Sequence, residues 1–107
     1  MENSIAHRRL FFSVKGKDER SNVTISISAP AFVSAESLPV HSDMEMAVCN
    51  IEIVGFDEPY VQSVIGADLL QALQLATDID PILKGYSELY DFFYEDGEPY
   101  FASEQTR

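Results

Sequence analysis

The chain has 107 residues, 46% of them hydrophobic and 23% charged, with a formal net charge of −11; this fits one domain able to bury a core and excludes a disordered chain. The charge is split along the sequence: Arg8, Arg9, Lys15, Lys17 and Arg20 outnumber Glu2, Asp18 and Glu19 in the first twenty residues, a net of +2, whereas residues 21–107 set fifteen carboxylates against Lys84 and Arg107, a net of −13. Phosphate and anionic-lipid contacts need Lys and Arg that such a surface lacks, so nucleic acid and membrane are excluded as partners and a positively charged protein partner is expected.

Residues Ile5–Val14 mix Phe, Leu and Val with bases and stop at the turn-like Lys15-Gly16-Lys17-Asp18. Asn22–Ser28 alternates strictly, with Val23, Ile25 and Ile27 on one side and Thr24, Ser26 and Ser28 on the other, the period of a half-buried strand. The two runs predict an antiparallel hairpin, ended by Ala29-Pro30 because proline cannot donate to a sheet ladder. Ala31–Asp43 reads as a long loop or irregular edge. Met44–Val54 is apolar on both parities and predicts a central strand. After the turn Gly55-Phe56-Asp57-Glu58-Pro59, Tyr60–Ile65 gives a fourth strand.

Asp68 is placed to cap a helix in which Leu69, Leu70, Ala72, Leu73, Leu75, Ala76, Ile79, Ile82 and Leu83 recur every three or four residues and form one broad apolar face. Pro81 kinks or restarts it, and Lys84-Gly85 ends it with a cation and a C′ glycine. Seven of the twelve aromatic residues then fall between Tyr86 and Phe101, split by the hairpin signal Asp96-Gly97. Strands are expected near Leu89–Tyr94 and Tyr100–Ala102. The prediction is a single α+β domain over residues 1–107, with ends frayed at about 1–4 and 103–107. Its mostly antiparallel sheet has about five to six strands with one main helix on one face, in the order β-β-β-β-α-β-β.

Little in this pattern supplies chemistry. His7 and His41 are the only histidines, and Cys49, the only cysteine, lies in an apolar strand, where it acts as a small hydrophobe. His41, Ser42 and Asp43 have the composition of a catalytic triad, but adjacent residues cannot adopt its geometry. Asp78-Ile79-Asp80 and Glu95-Asp96-Gly97-Glu98 match no EF-hand loop and read as a solvated helix face and a hairpin tip. No Gly-rich phosphate loop exists. No enzyme activity, metal or cofactor is expected. The absence of an apolar leader and of a membrane-span run, with a cysteine that has no internal partner, predicts a soluble cytoplasmic protein.

One tract rises above this background: Glu88-Leu89-Tyr90-Asp91-Phe92-Phe93-Tyr94-Glu95-Asp96-Gly97-Glu98-Pro99-Tyr100. Tyrosines anchor interfaces because they bury area and keep a hydroxyl, and carboxylates steer a basic partner. Asp91, Tyr94, Glu95, Asp96, Glu98 and Tyr100 are therefore the expected partner contacts, with Asp57, Glu58 and Tyr60 as a second loop. The alternative is that Phe92 and half the tyrosines are core and the acids merely keep an edge strand soluble.

In size, acidity and α+β pattern the whole chain resembles the small acidic immunity proteins of bacterial polymorphic-toxin and contact-dependent growth-inhibition systems. Val64–Ala76 is also similar to a segment in a family of uncharacterised short bacterial proteins, some of this kind. The resemblance implies an antitoxin that binds its toxin domain stoichiometrically and blocks the active site or substrate surface. Many such toxins are nucleases, which are basic because they hold phosphate. A different reading is an acidic interaction or scaffold module of a larger complex, or a self-associating domain with no toxin partner. In that case the basic first strand would meet the acidic hairpin of a second copy as a homodimer.

Overall fold

The computed structural model describes residues 4–33 and 46–101. It is an α+β fold: six antiparallel strands and one bent helical segment against one face. Strands β1 (Ser4–Val14) and β2 (Ser21–Ser28) form the expected hairpin, with Leu10 opposite Val23 and Arg8 opposite Ile25. Strand β4 (Met46–Val54) lies beside β2, Ile53 opposite Ile25 and Ile51 opposite Ile27. Beyond Ala29-Pro30 the chain continues along the same edge of β4 as a short strand β3 (Ala31–Val33), Phe32 opposite Ala47. Proline interrupts the ladder there without ending the path, so the first part of the expected loop is a strand. Residues 34–45, including His41, Ser42 and Met44, lie outside the described residues. Strand β5 (Tyr60–Gly66) takes the other edge of β4, and β6 (Tyr90–Phe93) pairs with the end of β1, Phe12 opposite Phe92.

Directly opposed residues of antiparallel strands point to the same face. This register therefore gathers Leu10, Phe12, Val23, Ile25, Ile27, Ala47, Cys49, Ile51, Ile53 and Phe92 into one buried layer. Burying a Leu or Ile side chain stabilises by about 1.5–3 kcal/mol, so this layer holds the fold. Cys49 is fully buried, and its Sγ donates to the Ser28 carbonyl at 3.1 Å. Strand β4 is central, as expected, but only its Ala47–Ile53 parity is buried, while Met46, Val48, Asn50 and Glu52 are half-buried on the opposite face.

Helix α1 (Leu69–Thr77) starts at Asp68, whose carboxylate accepts from the Gln71 N–H at 2.7 Å. The Gln71 side chain reaches back to the Ala67 N–H at 2.6 Å, so two otherwise orphaned donors are satisfied. Asp78-Ile79 breaks the helix, and α2 (Asp80–Gly85) restarts with Pro81 in its first turn, where the missing N–H costs nothing. Two expectations need correction. The apolar helix face is not buried as a whole: Ala72, Ala76, Ile79 and Leu83 pack on the sheet, whereas Leu69, Leu70 and Leu75 are exposed. Small alanines let the helix backbone approach the sheet, and the larger leucines are turned aside. Gly85 is the last residue of α2 and does not take a positive φ; Tyr86 caps the helix instead.

Gly55 turns β4 into β5 at φ +145, and a Cβ there would lie 2.5 Å from the Asn22 carbonyl oxygen. Strand β6 stops at Phe93. Its return limb is a single bridge from Phe93 to Pro99 rather than a strand, and Ala102 lies outside the described residues.

Candidate interaction surface

The return limb still makes a hairpin. The Tyr94 N–H donates to the Glu98 carbonyl at 2.8 Å, the Gly97 N–H to the Tyr94 carbonyl at 2.9 Å, and the Tyr100 N–H to the Phe92 carbonyl at 2.8 Å. The loop is Glu95-Asp96-Gly97, three residues closed by a glycine at φ +95, a common three-residue hairpin connection. The Asp96 carboxylate accepts from the Glu98 N–H at 3.0 Å and stiffens the tip.

The structure sorts the expected contacts into three groups. Tyr100 is 9% exposed, and its hydroxyl accepts from Arg8 Nη1 at 2.7 Å and donates to Asp80 Oδ1 at 2.6 Å. Burial pushes that hydroxyl up to about 12, reinforced by the bond to Asp80 and opposed by Arg8. It ties β1, α2 and the hairpin together and is withdrawn from the surface. Tyr60 is half-buried, its ring 6.5 Å from Tyr86 and its hydroxyl on the Gln62 side-chain oxygen. Asp91 is paired with Lys15 and Glu95 with Arg9, the latter at 3.9 Å. The outward groups are Tyr94, Asp96 and Glu98 at the hairpin, and Asp57 and Glu58 at the β4–β5 turn.

The hairpin therefore meets a basic strand in its own chain. The Arg20 guanidinium lies 3.6 Å from the Phe93 ring centre, so four of the first five basic side chains are directed at residues 91–100. Between β1 and the hairpin runs an open groove of about 450 Å³ lined by His7, Arg8, Arg9, Tyr94 and Glu95. The two acidic loops do not form one patch. Phe56 stacks on Tyr90 at 4.9 Å and touches Phe12, Tyr86 and Phe92, which anchors the Asp57-Glu58 turn at the base of β6, away from the tip. Burial pushes the Tyr86 hydroxyl up, helped by Tyr60 and Tyr90 beside it.

Phe56 is the residue that the aromatic count overlooked, because it sits among turn residues. The pairing of Arg8 had a signal in the sequence: it shares the parity of Leu10 and Phe12, so a charge on the packed face of β1 had to find partners. Among the described residues no group of three or more His, Cys, Asp or Glu side chains is placed to hold a metal, and no helix is long and apolar enough to cross a membrane. A scan of protein-family models and searches of curated proteins and of solved structures find no match to this chain.

Proposed function

We propose that the chain is a small cytoplasmic immunity protein that neutralises a basic toxin domain, a nuclease in the simplest case, by stoichiometric binding. The observation that carries this reading is the way the charge is distributed over the fold. Arg9 and Arg8 of β1, with Lys15 and Arg20 of the turn after it, are spent on Glu95, Tyr100, Asp91 and Phe93, and Asp57, Glu58, Asp96 and Glu98 face outward without an ion pair among the described residues. The outward field remains strongly negative, which complements a phosphate-binding surface and accelerates encounter with it. Asp96 and Glu98 occupy phosphate-like positions on the toxin, and the exposed ring of Tyr94 packs beside them. Lys15 and Arg9 do not contact the partner: they neutralise Asp91 and Glu95 along the body of the hairpin.

The test is whether a reading frame for a basic toxin-like domain lies beside its own gene and whether co-expression with this chain protects cells from that domain. Asp96→Lys with Glu98→Lys should abolish protection and slow association in proportion to ionic strength, with the melting temperature unchanged. Full protection by that double variant would remove the tip from the interface, and no protection by the wild-type chain would refute the reading itself.

A further inference from the structure

The two ends of the sheet are finished differently. On the β6 side the chain folds back through Pro99 and Tyr100, secured by backbone hydrogen bonds from Tyr94 to Glu98 and from Tyr100 to Phe92. On the other side β5 is hydrogen-bonded only to β4 among the described residues. An edge strand offers a row of unused N–H and C=O groups, and proteins ordinarily blunt it with a lysine, an internal proline, a bulge or short length. β5 has none of these. Tyr60-Val61-Gln62-Ser63-Val64-Ile65-Gly66 carries no charge, and its register with β4 runs unbroken from Ile53 opposite Tyr60 to Ala47 opposite Gly66. Val61 is 62% exposed, Ile65 is exposed on the same face, and Leu70 is exposed in the first turn of the helix that follows.

Charge is placed only at the ends of this edge: Asp57 and Glu58 before it, Asp68 after it. An uncharged strand between acidic ends suits an extended segment with apolar residues at its centre and Lys or Arg on its flanks. We propose that β5 is a docking edge, to which such a segment of a basic protein partner adds as a further strand. This rests on the reading of the chain as the inhibitor of a basic protein. It places the central contact at β5, with the Asp57-Glu58 turn shared between the two surfaces. The geometry disfavours a second copy, since antiparallel β5–β5 pairing sets Asp57 and Glu58 of one chain near Asp68 of the other, between two bodies of net −11.

The test is a titration of the full ¹⁵N-labelled chain with the synthetic peptide Lys-Lys-Thr-Val-Thr-Val-Thr-Lys-Lys, up to millimolar concentration at low salt. Amide shift changes and slowed hydrogen exchange are expected along residues 57–68. The peptide with Glu in place of every Lys should bind about tenfold more weakly. Val61→Lys with Ile65→Lys should abolish binding while leaving the melting temperature within a few degrees, because both side chains are exposed. No shift at β5, shifts centred on the hairpin or on β1, or undiminished binding by the Lys variant would each overturn the proposal. So would a dimer of the free chain in sedimentation that the Lys variant dissolves, since that assigns the edge to a second copy. Co-expression is scored separately: protection retained by the Lys variant refutes the edge and leaves the inhibitor reading intact, whereas failure of the wild-type chain to protect refutes only the latter.

Discussion

Replacing Tyr100 by Phe removes one oxygen from the point where three parts of the molecule meet. That oxygen accepts from Arg8 of β1 and donates to Asp80 of α2, while the backbone N–H of the same residue holds the hairpin to Phe92. The ring stays in place, so no cavity opens and the cost is that of two hydrogen bonds to charged groups. Such a bond is worth about 1.5–3 kcal/mol when its partner is left dry. Arg8 and Asp80 are themselves exposed residues that water can reach, which lowers the total to about 1–2 kcal/mol. For a domain of this length each kcal/mol lowers the melting temperature by about 4–8 °C. The pH dependence gives a second readout. The unfolded chain releases the Tyr100 proton near pH 10, and the folded chain holds it to about pH 12. Between those values the unfolded state binds fewer protons, so the contribution of this hydroxyl, fully present below pH 10, is lost as pH rises toward 12. The wild-type and Tyr100→Phe melting curves, measured by circular dichroism, should therefore be well separated at neutral pH and converge between pH 10 and 12. Equal melting temperatures at neutral pH, or a gap that stays constant to pH 12, would refute the role given to this side chain.

Two further predictions concern the frame. Gly55→Ala should cost at least about 2 kcal/mol in urea unfolding, since it adds a Cβ 2.5 Å from the Asn22 carbonyl oxygen at a φ of +145; Gly16→Ala at φ +84, with nothing within 4 Å, should cost only about 1–2 kcal/mol of backbone strain, and equal losses would contradict the close approach. Leu83→Ala should cost about 2–5 kcal/mol, while Leu70→Ser, on a side chain 64% exposed, should fall within about 0.5 kcal/mol of wild type; a reversed order would mean that the helix presents its other face to the sheet.

Strict alternation made β2 legible, because polar and β-branched residues in turn leave only one register that buries Val23, Ile25 and Ile27. The cap at Asp68 was legible for a similar reason: a short acid before a periodic apolar run has one good use. The helix face was misjudged because spacing shows which residues share a side, not how close the backbone must come. Gly66 and Ala72 bring α1 against the sheet, where a Cβ on Gly66 would lie 2.5 Å from the Ala72 nitrogen. At that distance the buried positions go to alanine, and Leu70 and Leu75 are left outside. β3 was missed because three residues after a proline carry no period at all. Its pairing is set by β4, which is distant in sequence. The tyrosines of the acidic tract were divided between core and surface by register alone: Tyr90 lies opposite Val14 and stacks on Phe56, while Tyr94 lies one step past the end of the ladder and is exposed.

The division of charge along the sequence has a structural consequence that net charge hides. β1 and the terminal hairpin are far apart in sequence, yet they are neighbours in the sheet, so the bases of one lie on the acids of the other. Exposed pairs of this kind add little to stability, and their effect is on where the field points. They cancel the negative potential along the body of the hairpin and leave it at the tip and at the turn beside β5. A basic partner steered by charge would thereby be brought toward two places, of which only one adjoins an uncharged strand whose outer backbone groups are unused among the described residues. In the complex we propose, the acids of the chain would bias the direction of approach, and the edge of β5, open among the described residues, would supply the hydrogen bonds and apolar area that charge alone does not provide.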